Sequence, residues 1–182
     1  MNHHLFNDSD DHNDSPVIGI LAQPLVSPVK DQNGKTTDYI PMDFYPHRQY
    51  IAASYVKWVE QAGARVVPIN FFSTREELEE LLPQLNGALF PGGDGNYPTQ
   101  IALILDVIMK LNESGHYFPL WATCLGFQYV STYFGLRNGW SPDKGQNETN
   151  FSFLGDYPVL NQSNKLEFTP MAKDSKWYQE MT

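Results

Sequence analysis

The chain has 182 residues, 41% apolar, 14% aromatic and 18% charged, the profile of an ordered globular domain rather than a disordered or fibrous chain. Twelve Lys and Arg against 21 Asp and Glu leave a formal charge of −9, which speaks against nucleic acid or an anionic membrane as partner, since both need clustered cations. A single cysteine, Cys124, excludes an internal disulfide and a cysteine-based zinc site, and no apolar run approaches the ~20 residues of a membrane helix.

Residues 1–15, MNHHLFNDSDDHNDS, are acidic, His-rich and nearly devoid of apolar side chains. They read as a flexible solvated tail, unlike the basic-then-apolar layout of a secretory signal. Loose metal contact by His3, His4 and His12 is the weaker alternative, and no specific metal site is expected. Asn-x-Ser/Thr triplets begin at Asn7, Asn13, Asn112, Asn147, Asn150 and Asn161, six of thirteen asparagines. That excess favours the secretory route.

Regular patterning starts at Pro16. Val17 to Leu21 is a short continuous apolar run, the mark of a strand buried on both faces. Residues 22–46 are rich in Pro, Gly, Asp and Asn and read as a long loop. From His47 to Ala62, apolar residues at Tyr50, Ile51, Tyr55, Trp58, Val59 and Ala62 follow helical spacing, and Gly63 ends the helix. Arg65 to Ile69 reads as a second strand. Ser73 or Thr74, followed by Glu76 and Glu77, marks a capped helix start with acids in the positive first turn, and that helix runs to about Leu82. Gly87 to Phe90 is a third strand, Thr99 to Asn112 a helix with its stripe at Ile101, Leu105, Ile108 and Leu111, and Phe118 to Thr123 a fourth strand. Leu125 to Phe134 is a further helix closed by Gly135. Beyond Arg137 the order fades, with strand-like pieces at 151–153 and 166–168, and no internal repeat is visible.

Buried-type strands alternating with helices predict a doubly wound α/β fold, a mainly parallel sheet with helices on both faces. Ligands of such sheets bind beyond the carboxyl ends of the strands. Ala122-Thr123-Cys124-Leu125-Gly126 lies there, between a strand and its helix. A nucleophile on so sharp a turn projects from its own backbone, and a helix N-terminus favours the negative charge it carries. The bland alternative is an ordinary buried thiol. A second place is Phe90-Pro91-Gly92-Gly93-Asp94-Gly95, whose glycines let backbone N–H groups approach a ligand. With the N–H of Leu125 they would form an oxyanion hole. Phosphate binding fits less well, because neither a Lys nor a full Gly-x-Gly-x-x-Gly follows. A cysteine nucleophile also needs a proton partner. No histidine occurs among the 58 residues after Cys124; His116 would stand at the wrong end of its strand and His47 opens the first helix.

The residues quoted so far resemble the γ-glutamyl hydrolases, the folate poly-γ-glutamate hydrolase branch of the class I glutamine amidotransferase-like superfamily, whose fold is flavodoxin-like. The resemblance rests on Pro16 to Leu21, Tyr50 to Lys57, Glu60 to Pro68, Asn86-Gly87 through Gly92-Gly93, and Tyr117 to Phe127, in that order. It implies that Cys124 is the nucleophile, that N–H groups of Gly93 and Leu125 hold the oxyanion, and that Tyr55 and Gly92 lie by the substrate. It implies no cofactor and no metal, a folate poly-γ-glutamate substrate, a lysosomal, vacuolar or extracellular location, and it admits a homodimer. Three departures stand out: Ala122 replaces the usual Gly, Gln128 replaces the usual Glu, and the downstream Trp-His-Pro-Glu type motif with the family's catalytic His is absent. Residues 16–182 are therefore expected to be a partial domain lacking its C-terminal portion, close to inactive alone. Lys30, Lys35, Arg48, Lys57, Arg65 and Arg75 are the cations open to substrate carboxylates. A glutaminase domain and a non-catalytic binder of γ-glutamyl ligands are the competing expectations.

Overall fold

The structure, a computed structural model, describes residues 14–41, 48–94, 98–137, 165, 167–175 and 179. The chain divides into two compact units, Met1–Phe151 and Ser152–Thr182.

In the first unit β1 (Val17–Leu21) leads into three short pieces, β2 (Gln23–Pro24), β3 (Val26–Lys30) and β4 (Thr36–Pro41), and then β5 (Gln49–Tyr50). Next come α1 (Ala53–Gln61), β6 (Arg65–Ile69), α2 (Arg75–Leu81) with a short 3₁₀ turn, β7 (Gly87–Phe90), α3 (Pro98–Glu113), β8 (Leu120–Ala122) and α4 (Leu125–Arg137). The central sheet has the order β6-β1-β7-β8, parallel throughout. All four strand exits, at Leu21, Ile69, Phe90 and Ala122, therefore share one edge.

Alternation along the strands sorts side chains to two faces. Ile20 and Leu89 pack with Val59 of α1 on one. Leu21, Ala88 and Phe90 pack on the other with Leu78 of α2, Ile104 of α3 and Tyr129 of α4. This is the expected doubly wound sheet. Tyr133 of α4 adds a polar tie, its hydroxyl donating to Asp106 Oδ1 of α3 at 2.5 Å.

The structure differs from the sequence expectations at several places. Residues 22–46 are not a loop throughout: β3 and β4 pair as an antiparallel hairpin. Its turn is nucleated by Asp31, whose carboxylate accepts from Asn33 N and Lys35 N, with Gly34 at φ +79°. Pro28 is tolerated because the pair forms its own two-stranded sheet with free edges. The first helix begins at Ala53 rather than His47, which lies outside the described residues. Gln49 and Tyr50 pair with β2 instead, and the Gln49 side chain accepts from Phe71 N and donates to Asn70 Oδ1, both at 2.6 Å. The fourth strand is shorter than expected because Phe118 is claimed by Asn112, whose Oδ1 accepts from Phe118 N and whose Nδ2 donates to Phe118 O and Ile108 O. That Nδ2 is the atom a glycan would need; the other five triplet asparagines lie outside the described residues. Gly135 does not end α4, which continues to Arg137. Residues 151–153 and Leu166 lie outside the described set, while Glu167 and Phe168 form no strand.

In the second unit α5 (Pro170–Lys173) is one turn, with Thr169 accepting from Ala172 N. Among the described residues no helix is long and apolar enough to cross a membrane.

The predicted start of α2 is realised as a capping box. Thr74 Oγ1 accepts from Glu77 N, and Glu77 Oε2 accepts from Thr74 N. Thr74→Ala is expected to lower stability by about 1 kcal/mol in urea unfolding. Beside it, the backbone N–H of Glu76 and then the Thr74 hydroxyl hold the Glu76 carboxyl below its ordinary value of 4.5. A carboxyl lowered in the folded state contributes stability above its unfolded pKa and loses it as pH falls through the folded one. The stabilities of Glu76→Gln and the parent chain should therefore converge as urea titrations are taken from neutral pH to well below that value.

Candidate active site

The site begins with two strand exits running side by side. Thr123 N donates to Phe90 O at 3.0 Å, extending the β7–β8 pairing past β8. The chain then reverses into α4 within a single residue. Cys124 makes that reversal at φ +51°, the one positive φ outside glycine among the described residues. A left-handed non-glycine residue is strained and persists only where its surroundings enforce it. Here they do: a Cβ on Gly126 would lie 2.5 Å from Phe90 O, so only glycine lets the first turn of α4 close onto β7. Cys124 is left exposed at the carboxyl edge of the sheet.

The Pro91-Gly92-Gly93 turn meets the thiol directly. A Cβ on Gly92 would stand 2.8 Å from Cys124 Cβ and 3.6 Å from Sγ. Gly92 N donates to Tyr55 Oη at 2.9 Å, so Tyr55 of α1 reaches across to hold the turn. The structure thus brings Cys124, Gly92 and Tyr55 together, with Gly93 and Leu125 each one residue away along the chain. Among the described residues neither Gly93 N–H nor Leu125 N–H has an acceptor; for Leu125 this follows from its place in the first turn of a helix.

A cleft of about 330 Å³ opens beside the elbow, lined by Ser54, Tyr55, Trp58, Trp121 and Thr123. The two indoles meet edge to face at 5.6 Å, and Trp121 Nε1 donates to Thr123 Oγ1 at 3.1 Å. Sequence reading placed Trp58 in a helix stripe and passed over Trp121. The available signal was position: Trp121 is three residues before Cys124 on a strand whose alternation turns it toward α1.

The remaining candidates lie elsewhere. His116 precedes β8 at the amino edge of the sheet, with its ring 6.5 Å from that of Phe118, opposite the edge that carries Cys124. Lys30 and Lys35 belong to the exposed hairpin, Arg48 and Lys57 are exposed, and Arg65 Nη2 donates to Ser15 O at the amino edge. Arg75 pairs with Glu79 and Asp106. None of the six lines the cleft. Among the described residues no three His, Cys, Asp or Glu gather as metal ligands.

An exposed cysteine on a left-handed strand-to-helix elbow, packed against a diglycine turn at the carboxyl edge of a doubly wound sheet, has the strand-turn-helix geometry of the nucleophile-elbow α/β proteins. Residues 16–103 match the peptidase C26 family. The chain is a relative of the γ-glutamyl hydrolases. It is 38% identical to γ-glutamyl hydrolase B of Dictyostelium discoideum over 170 residues, covering 90% of this chain and 42% of that one, a span that takes in Cys124. It is 39% identical to γ-glutamyl hydrolase of Homo sapiens over 121 residues, 64% of this chain and 34% of that one. With the Bos taurus enzyme it shares 41% over 118 residues, 62% and 33% of the two chains. The chain spans less than half the length of these relatives.

Gly92→Ala forces a methyl group onto Cys124 Cβ, whereas Tyr55→Phe only removes an acceptor. The first is expected to cost about 1–3 kcal/mol and the second about 1 kcal/mol in urea unfolding. Equal stability of parent and Gly92→Ala would contradict the close approach.

Proposed function

We propose that this chain carries the nucleophile portion of a cysteine hydrolase that cleaves γ-glutamyl bonds in poly-γ-glutamates, those of folates included, through a thioester. The observation that carries the reading is Cys124 itself, exposed, left-handed and seated on Gly92. The similarity to γ-glutamyl hydrolases supplies the substrate class.

The Cys124 thiol passes its proton to an imidazole, its sulfur attacks the γ-carbonyl carbon, and the C=O electrons move to oxygen. Gly93 N–H and Leu125 N–H receive that negative charge, at the positive end of α4. Gly92 N–H takes no part, being committed to Tyr55. Collapse of the tetrahedral intermediate expels the amine, which leaves with a proton from an imidazole, and water then releases the glutamyl acid and restores the thiol. We assign that imidazole to a segment outside these 182 residues, on the resemblance to the γ-glutamyl hydrolases and their downstream histidine motif; His116, the one histidine among the described residues, lies at the opposite edge of the sheet from Cys124. Tyr55 and Gly92 form the wall beside the acyl group. The scheme calls on no metal or cofactor; a homodimer and a lysosomal, vacuolar or extracellular location belong to the same proposal.

The test separates nucleophile from turnover. An electrophilic N-acyl γ-glutamyl analogue should add one adduct mass to the purified chain, be excluded by poly-γ-glutamate, and leave Cys124→Ala unmodified. Loss of the imidazole costs at least the roughly 10²–10³-fold of a lost oxyanion donor. Glutamate release by the chain alone should therefore not exceed that of Cys124→Ala. Absence of labelling would overturn the nucleophile, and turnover by the chain alone would return the proton-transfer role to His116 or His47.

A further inference from the structure

Gln23, which follows β1 in a stretch read from sequence as loop, lies against the other half of the diglycine turn. Its backbone is fixed by antiparallel pairing with Tyr50, and the flanking N–H groups of Ala22 and Leu25 donate to Ile69 O and Arg48 O. The residue is only 8% exposed. A Cβ on Gly93 would fall 2.5 Å from its Nε2 and 2.8 Å from its Cδ, so the carboxamide fills the space a side chain at Gly93 would take. Among the described residues the carboxamide makes no hydrogen bond, which leaves packing as what it supplies. The gap it shares with Pro91, Asp94, Leu125 and Gly126 measures about 10 Å³, room for no more than one water. Tyr55 and Cys124 grip Gly92 from the opposite side. With one α carbon held, the next peptide can still rotate; the second grip removes that freedom.

We propose that Gln23 is a positioning residue that braces Gly93 and so aims its N–H at the carbonyl attacked by Cys124, an inference that rests on the acyl-transfer reading above. An N-acyl glutamate γ-semialdehyde tests it, since addition of the Cys124 sulfur to the aldehyde carbon places a developing O⁻ where the oxyanion donors point, whereas alkylation by iodoacetamide creates none. Protection of Cys124 from iodoacetamide by the aldehyde, followed by intact mass, reports the first against the second. Gln23→Ala is expected to weaken aldehyde protection about tenfold, less than outright loss of a donor, with the unprotected alkylation rate within about twofold. Gln23→Met, which refills the space without hydrogen-bonding groups, is expected to stay within about threefold of the parent. Gly93→Ala displaces the carboxamide by itself, so adding Gln23→Ala to it should bring no further loss. Undiminished protection in Gln23→Ala overturns the brace, and equal losses in Gln23→Ala and Gln23→Met overturn packing as its means. A parent chain that the aldehyde does not protect brings down the acyl-transfer reading and the brace with it.

Discussion

Two backbones in contact at the end of a parallel strand pair are the constraint on which the site depends. Phe90 O accepts from Thr123 N and occupies the space that a side chain at Gly126 would need, while Gly92 lies where a side chain would strike Cys124. With a glycine on each strand exit, β7 and β8 stay adjacent past their last paired residues, and the chain between Thr123 and α4 has no room for a gradual turn. Left-handed backbone at Cys124 is the consequence, costing on the order of 1–3 kcal/mol. Burial of Phe90, Leu125 and Tyr129 around the junction offsets it.

The two faces of the sheet divide the remaining work. On one, α2, α3 and α4 bury the main core and carry the polar ties among Arg75, Glu79, Asp106, Lys110 and Tyr133. On the other, Tyr55, Val56 and Val59 of α1 pack with Ile20 of β1 and Leu89 of β7, and the surface toward β8 is an apolar groove of about 440 Å³ bounded by Trp58, Pro119, Leu120 and Trp121. The cleft beside Cys124 is lined by both of those indoles. Rigidity comes from the covered face and access from the other, which is how a strained residue is held while its sulfur stays exposed.

Legibility in the sequence followed the range of the interactions. The strands β1 and β7 were readable because burial leaves an unbroken apolar run, β6 because Val66, Val67 and Ile69 keep a short apolar pattern beside exposed Arg65 and Pro68, and α2 because its cap is a local hydrogen-bond pattern. The hairpin of β3 and β4 was hidden by its Pro and Asp content, although Asn33-Gly34, lying between Val29 and Thr36, carried a turn signal. Gln49 and Tyr50 fit a helical stripe equally well; their pairing with β2 and the bonds from Gln49 to Asn70 and Phe71 depend on residues about twenty positions away. Cys124 was legible as an elbow from its neighbours alone. Gln23 was not, because its place against Gly93 exists only once β1 and β7 are neighbours.

Tyr55 ties α1 to the diglycine turn through a single hydrogen bond. Resemblance implies a place beside the substrate; the residue lines the cleft, and its hydroxyl oxygen accepts from Gly92 N–H, which commits that donor. Of the two glycine N–H groups of the turn, Gly93 N–H alone is without an acceptor among the described residues, and in the proposed scheme the second oxyanion donor is Leu125 N–H at the start of α4. Two donors on separate elements can converge on one oxygen only if strand and helix are fixed to within a few tenths of an ångström, because a hydrogen bond weakens steeply with distance and angle. The packing of Gly126 on Phe90 and of Gly92 on Cys124 sets that relative position. The glycines of this site thus act less as flexible joints than as the absence of side chains, the condition for close contact and for a geometry too tight to drift.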